Sequence, residues 1–300
     1  MRWSGSTAGA IAIWAAVVVL TLAGCAKKEK SNTEMGGTGD MVLEELEQAV
    51  LAKNWDALNI VDTMARPGEA VSLLSKLCQN EDPDIRELAL NCVTMITDPN
   101  TAKILAEALA DEDEDNRHYA LGSLEGSDAA RVAGDLVANL DNEDVEVRAG
   151  VALLLGYAEE AEPAESVRNR LEIEQSELVR RDLKLALAKL GDAEMKELFA
   201  AQMDVPDSET RRKGFEDLRY IGDRGLAPRI LPALDDLGRA HLISRKSEPQ
   251  ARFARVCDAA VNLIGELCEQ PFSFEISDSK VYSDEEIAEA KSYLQSLKAE

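Results

Sequence analysis

The chain has 300 residues, of which 45% are hydrophobic, 30% are charged and 4% are aromatic, and its formal net charge is −24. This composition allows a buried core, which excludes wholesale disorder, and its abundant Ala and Leu favour helices over sheets. Nucleic acid is an unsuitable partner, because phosphate backbones are bound by Lys and Arg. The acidity is compatible with solvated helix faces or with a basic protein partner.

The first 24 residues have the pattern of a targeting signal. Arg2 is their one charged residue, and residues 8–24 form an apolar or small-residue run that is short for a membrane span. The run ends in Leu22-Ala23-Gly24-Cys25, which resembles the lipobox of bacterial lipoproteins. This resemblance implies cleavage before Cys25 and acylation of its sulfur, and several acyl chains hold a protein firmly on a membrane. The alternatives are an ordinary secretory signal and an uncleaved anchor helix.

The residues after the signal predict a location and a tether. Ala26 stands where the inner-membrane retention signal has Asp, so the lipobox resemblance favours the outer membrane, on the periplasmic side of the bacterial envelope. The polar, Gly-containing stretch before residue 41 predicts a flexible tether. We expect a signal peptide at 1–24, the lipidated cysteine and tether at 25–40, a repeat region at 41–240, and a final helical unit with a C-terminal cap at 241–300.

From Met41 onward the apolar residues have helical spacing, and a longer pattern of caps, arginines and apolar residues repeats on top of that spacing. Arginines recur every 31 or 32 residues, each with a helix N-cap residue four positions before it and an apolar residue seven positions after it. The arginines are Arg86, Arg117, Arg148, Arg180 and Arg211; the caps are Asp82, Asp113, Asp144, Ser176 and Asp207; the apolar residues are Val93, Leu124, Leu155, Leu187 and Leu218. A second apolar series in step with the first comprises Leu109, Leu140, Leu171 and Met203. Two series in register predict stacked helical hairpins.

The starts of the first helices, such as Asp84-Ile85-Arg86 and Glu146-Val147-Arg148, resemble HEAT repeats in the short form of bilin-lyase-type proteins. The resemblance covers roughly residues 56–240 and implies an all-α, right-handed α-solenoid with a period of about 31 residues. It also implies that the repeated Asp and Arg form a ladder between neighbouring repeats. The residues with this structural role would be Asp82, Arg86, Asp113, Arg117, Asp144, Arg148, Arg180, Asp207 and Arg211.

The period breaks near the C-terminus. Residues 238–250 form a basic, irregular insertion that contains Arg239, His241, Arg245 and Lys246. We expect a helix at 251–268, a strand-like segment at 271–276, and a last helix begun by the capping box Ser283-Asp-Glu-Glu286. The insertion and the tail do not repeat, so they are candidates for recognition.

The sequence lacks the patterns of an active site. His118 and His241 are the only histidines, and no Cys or His spacing fits a metal site. A calcium loop begun at Asp111 would place Asn116 where Gly is needed. We therefore predict no catalytic residue, metal or cofactor. Cys78 and Cys92 fall on consecutive helices, where they could form a disulfide or pack as apolar thiols.

These observations favour a lipid-tethered, non-catalytic scaffold that binds a protein partner, with a basic partner as one possibility. The alternative is a lyase-like HEAT protein that handles a chromophore or another small molecule, which rests on fold analogy alone. A passive spacer, or a component of a transport or cell-wall assembly, is the third interpretation.

Overall fold

The computed structural model of the protein describes residues 39–158, 161–243 and 252–297. The chain divides into two compact units, with the boundary between Leu124 and Glu125. Over the described ranges, no helix is both long and apolar enough to cross a membrane. The predicted signal peptide, Cys25 and most of the tether lie outside the described residues.

Unit 1 is built from short helices joined by tight turns. Its elements are α1 (Gly39–Leu51), α2 (Ala57–Thr63), a 3₁₀ turn (Pro67–Ala70), α3 (Val71–Leu77), α4 (Pro83–Thr94), α5 (Thr101–Ala108) and α6 (Glu114–Ser123). α1 contributes Leu46 and Val50 to the core and packs against α2 and α4. The first helices α4 and α6 of consecutive repeats also pack on each other.

Unit 2 continues the hairpins and adds a closing segment. Its helices are α7 (Gly126–Ala129), α8 (Ala133–Ala138), α9 (Val145–Leu155), α10 (Ala161–Ile173), α11 (Glu177–Lys189), α12 (Ala193–Ala200), α13 (Ser208–Ile221), α14 (Val256–Leu267) and α15 (Asp284–Leu297), with 3₁₀ segments at Asn139–Asp141, Ala201–Asp204 and Arg224–Asp235. Pro228 and Pro232 lie inside the last 3₁₀ segment and cannot donate backbone hydrogen bonds, which disfavours an α-helix there.

The core follows the long period of the sequence. The five apolar residues that stand seven positions after the repeat arginines are all buried, at 0–7% exposure. Leu109, Leu140 and Met203 of the second series are also buried, and Leu171 is half-buried. Because a single hairpin cannot cover its own apolar face, these residues are covered by the next hairpin within each unit. The predicted all-α solenoid of stacked hairpins is confirmed.

The predicted strand at 271–276 is wrong, and two strands lie elsewhere. β1 (Arg239–Leu242), at the start of the basic insertion, pairs antiparallel with β2 (Phe253–Arg255), which follows the insertion. Residues 271–276 instead lie against α15, where Ser273 donates to the Glu289 carboxylate from both its N–H and its hydroxyl. The rings of Phe272 and Phe274 stack at 5.0 Å, so aromatic packing rather than strand pairing explains this apolar run.

Other predicted boundaries moved in the same part of the chain. The helix expected from residue 251 begins at Val256, because β2 occupies the residues before it. Elsewhere in unit 2, Pro163 lies within the first turn of α10, where the missing N–H of proline has no helical acceptor to lose. The predicted capping box of α15 is confirmed: the Ser283 N–H donates to Glu286 Oε2 at 2.8 Å, and Ser283 Oγ accepts from the Glu286 N–H at 3.3 Å.

Candidate functional site

Each repeat arginine reaches back to the turn that precedes its helix. In every case a guanidinium N–H donates to the carbonyl oxygen six residues earlier, and in four of the five a second bond reaches the carbonyl five residues earlier. The six-earlier acceptors are Asn80 for Arg86 at 2.8 Å, Asp111 for Arg117 at 2.9 Å, Asn142 for Arg148 at 2.7 Å, Glu174 for Arg180 at 3.1 Å, and Val205 for Arg211. The arginines thereby satisfy carbonyls in the turns between repeats.

The opposite edge of three guanidinium groups binds a carboxylate 25 or 26 residues further along the chain. Arg86 donates to Asp111 at 2.8 and 2.6 Å. Arg148 donates to Glu174 at 3.0 and 3.3 Å. Arg211 donates to Asp236, with a distance of 2.9 Å from Nε. The Arg86 and Arg148 pairs are bidentate, with a separate carboxylate oxygen for each nitrogen, whereas both Arg211 nitrogens donate to Oδ2 of Asp236. Charged hydrogen bonds are stronger than neutral ones, and these connect one repeat to the next within each unit.

These acids belong to a series that sequence analysis did not single out. Its members, at steps of 31 or 32, are Asn80, Asp111, Asn142, Glu174, Val205 and Asp236. Five of the six accept a hydrogen bond from the backbone N–H two residues later, at 2.8–3.0 Å, which closes the turn. The sequence does contain a signal for this series, because its members keep the repeat period and lie two residues before each cap. The series is hard to recognise because the position holds Asn, Asp, Glu or Val in different repeats.

The cap aspartates differ in role from Asp111, Glu174 and Asp236, which bind the repeat arginines and are called the ladder acids below. Asp82, Asp113, Asp144 and Asp207 each accept from backbone N–H groups in the first turn of their own helices. Ser176 occupies the N-cap position of α11 as predicted, but its side chain accepts no such bond. There the Ser176 N–H is itself a donor to Glu174 Oε1, at 2.8 Å. Nine repeat residues named from the sequence thus divide into helix caps and turn-binding arginines.

Glu174 is the most heavily bonded ladder acid. Its buried carboxylate accepts from Arg148, from Arg170 at 2.6 Å, and from the N–H groups of Gln175 and Ser176. Burial acts to raise its pKa, but the hydrogen bonds from Arg148, Ser176 and Arg170 outweigh burial and lower the pKa to about 2. Glu174 is therefore ionised at any physiological pH, and its role is to hold neighbouring repeats together.

A cleft of about 560 Å³ lies between the second helices α3 and α5 in unit 1. Cys78, Ile104 and Ala108 line its apolar part, and the latter two are buried. The exposed carboxylates of Glu81, Glu107 and Glu112 line its polar part. In the described part of the chain these three side chains form no ion pair, whereas Arg86 and Asp111, which also line the cleft, bind each other. We call this the acidic cleft.

The remaining candidates from the sequence do not assemble into a reactive site. Within the described ranges, no group of His, Cys, Asp and Glu has the arrangement of a metal site. His118 is half-buried on α6, and His241 Nε2 lies 2.8 Å from the Asp278 carbonyl oxygen. Cys78 and Cys92 are free thiols, and burial raises the pKa of each to about 12, which disfavours nucleophilic thiolates. Cys25, Arg245 and Lys246 lie outside the described residues.

The stacked hairpins, with arginines that bind the turns between them, define a helical-repeat protein. Residues 43–125 match the family model of HEAT repeats.

Two solved structures are similar to the chain. One is YibA of Escherichia coli, with 17% identity and a TM-score of 0.44, covering 90% of this chain and 99% of YibA. The other is the complex of CpcE and CpcF of phycocyanin lyase from Nostoc sp. PCC7120, with 16% identity and a TM-score of 0.44, covering 90% of this chain and 100% of that chain. A search of the curated proteins gave no match.

Proposed function

We propose that the protein is a non-catalytic scaffold that binds a basic segment of a partner protein in the acidic cleft. A lipid on Cys25 would hold it in the bacterial cell envelope, on the periplasmic side and preferentially at the outer membrane. The observation that carries the binding proposal is the set of three exposed carboxylates, Glu81, Glu107 and Glu112, above an apolar floor.

The state of the charges favours this cleft over the ladder as a binding site. The side chains of Arg86 and Asp111 are only 11% and 5% exposed, and their charges neutralise each other. A partner would therefore have to break this ion pair in order to bind either residue. The three glutamates can accept a cation without breaking any interaction among the described residues. Lys and Arg also suit the floor, because their aliphatic stems can lie on Ile104 and Ala108 while the charge reaches the rim.

Charge reversal tests the cleft. In native membranes, crosslinking followed by mass spectrometry should identify a partner with a basic segment, and E81K/E107K/E112K should weaken its binding at least about tenfold. The matched control is E165K/E172K/E194K, because these glutamates are exposed in unit 2 and the substitutions change the net charge equally. Equal loss of binding in both variants would contradict a role for the cleft. Isolation of a coloured or ligand-loaded protein without a protein partner would favour the chromophore-handling alternative.

The lipid anchor has its own test. The lipobox Leu22-Ala23-Gly24-Cys25 supports acylation of Cys25, and C25A should move the protein from the membrane fraction to the soluble periplasmic fraction. Mass spectrometry of the N-terminal peptide would show the acyl chains directly. An unmodified Cys25 in the membrane-bound protein would refute the anchor and leave the cleft proposal untouched.

A further inference from the structure

Unit 2 contains two buried carboxylates that share one arginine. Asp182 on α11 and Asp217 on α13 are 5% and 4% exposed. Arg181 donates to Asp182 at 3.1 Å with one terminal nitrogen and to Asp217 with the other, and its side chain is 47% exposed. Asp217 also accepts from Gln202 Nε2 at 3.0 Å. α11 and α13 are the first helices of neighbouring repeats and pack on each other, so Arg181 bridges two repeats.

The charges of this cluster do not balance. Two carboxylates face one guanidinium, so the ionised cluster keeps one buried negative charge, which is costly in a poorly solvated position. Burial raises the pKa of Asp182 to about 6, against the attraction of Arg181, and burial likewise raises the pKa of Asp217. Asp182 is the expected proton acceptor, because among the described residues its carboxylate accepts a side-chain hydrogen bond from Arg181 alone, whereas Asp217 accepts one from Gln202 as well.

Among the described residues, the surrounding elements bring no second cation to the cluster. α13 contributes Glu216, whose charge acts on Asp217, and the Tyr220 phenol, which donates to the Leu153 carbonyl at 2.5 Å. On α11, Lys189 donates to the Tyr220 carbonyl at 2.7 Å. Charged groups on the packed elements are held in separate pairs: Arg148 of α9 and Arg170 of α10 with Glu174, Arg168 of α10 with Asp192, Lys196 of α12 with Asp223, and Arg219 of α13 with Glu266 of α14.

We propose that Asp182, Arg181 and Asp217 form a proton-controlled clasp that takes up one proton at mildly acidic pH and then holds α11 and α13 together more tightly. With a proton on the Asp182 carboxyl, the cluster contains one carboxylate and one guanidinium, and the excess buried charge is gone. Loss of that proton as the pH rises restores the excess charge between the two helices. The clasp is a non-repeating addition to the solenoid, since the positions equivalent to Asp182 in the preceding and following repeats hold Gly150 and Lys213.

The direction of the effect follows from proton binding. An unfolded Asp titrates near 3.8, whereas Asp182 titrates near 6 in the folded chain, so the folded state binds more protons between these values. Stability of the α11–α13 contact therefore rises as the pH falls through 6. Between pH 7.5 and pH 5 the equilibrium constant for local opening should fall about tenfold.

Hydrogen exchange of the full chain measures this opening. Amides of α11 and α13, corrected for the intrinsic pH dependence of exchange, should show protection about tenfold higher at pH 5 than at pH 7.5. D182N, which mimics the protonated carboxyl, should show the high protection at both pH values. D115N removes the same charge from an exposed position of unit 1 and should keep the wild-type pH response.

Two further measurements keep the proposal refutable if a variant folds poorly. Carboxyl carbon NMR of the wild-type chain should show Asp182 titrating near 6, and titration at or below 4 would overturn the clasp. In R181Q the carboxylates lose their cation, so the pH response should move upward, above 6. An unchanged midpoint in R181Q, or a wild-type pH response in D182N, would also overturn it.

Discussion

Unit 1 and unit 2 use the same repeat but place polar side chains differently. Among the described residues, unit 1 buries Asn116 and the side chain of Asp111, whereas unit 2 buries Glu174, Asp182, Asp217, Asp236, Asp258 and Asn262. In unit 1 the three glutamates of the acidic cleft stay exposed and open to a partner. In unit 2 the buried acids bind arginines and close the structure. One period can therefore support a surface suited to binding and an interior that depends on internal charge pairs.

The C-terminal tail shows how far unit 2 relies on buried polar groups. Asp258 is fully buried and accepts from the Arg255 N–H at 2.7 Å, from the Arg255 side chain and from the Tyr282 N–H at 3.0 Å. Arg255 in turn donates to the Tyr282 carbonyl at 2.6 Å, and the Tyr282 hydroxyl donates to Asn262 at 2.5 Å. These bonds hold the C-terminal tail against α14, the helix that follows the last repeat. The tail thereby covers an apolar face that another repeat would otherwise have to cover.

The largest expected effect is on this network. Asp258→Ala leaves the Arg255 cation and two backbone N–H groups without their acceptor, so we expect it to lower the free energy of unfolding of unit 2 by about 4 kcal/mol. Denaturant unfolding followed by circular dichroism measures the loss. Asp115→Ala, at an exposed position of unit 1, should change stability by less than about 1 kcal/mol. Similar losses in the two variants would remove the contrast between the units.

Glu174→Gln should have the next largest effect and a defined pH dependence. Since folding lowers the pKa of Glu174 from 4.5 to about 2, its charge stabilises the folded state by roughly 3 kcal/mol at pH 7. This stabilisation is complete above pH 4.5 and disappears as the pH falls toward 2. Parallel denaturant curves of wild type and variant should therefore converge over that range. A constant difference down to pH 2 would show that shape, and not charge, explains the loss.

Arginine-to-lysine changes compare the ladder in the two units. Arg86→Lys keeps the charge but loses the bidentate bond to Asp111 and the bonds to the turn carbonyls, at an expected cost of about 1–2 kcal/mol. Arg148→Lys should cost less, because Arg170 continues to bind Glu174. Thermal unfolding of the two variants gives the ranking. A larger loss of stability in Arg148→Lys than in Arg86→Lys would mean that Arg170 does not compensate for the weakened bond between residue 148 and Glu174.

The smallest expected effect is a gain. Gly134 lies in α8 with nothing within 4 Å of the position that a Cβ would occupy, so Gly134→Ala should stabilise unit 2 by about 0.5–1 kcal/mol through helix propensity. A rise in the denaturant midpoint with an unchanged slope would support this. Gly156→Ala is the contrasting change, because its Cβ would overlap the Tyr220 hydroxyl. If it also stabilised the protein, Tyr220 would have to move freely.

Much of the repeat could be predicted from the chain because local rules govern it. Each of the four cap aspartates needs only its own first turn, and each buried apolar residue needs only its place in the period. The ladder acids were missed, although they keep the same step, because Asp and Glu alternate with Asn and Val at that position. The strand predicted at 271–276 failed because alternating aromatic residues pack equally well against a helix.

The sequence by itself determined the repeat length, the N-cap positions of the repeat helices, the apolar face and the all-α solenoid, since each follows from spacing and residue type repeated many times. Only the tertiary structure decided which carboxylates meet which arginines. Arg181 and Asp217 are 36 residues apart and outside the period, so nothing local brings them together. The packing of α11 on α13 does so, and it also removes the water that would otherwise make the shared charge unimportant.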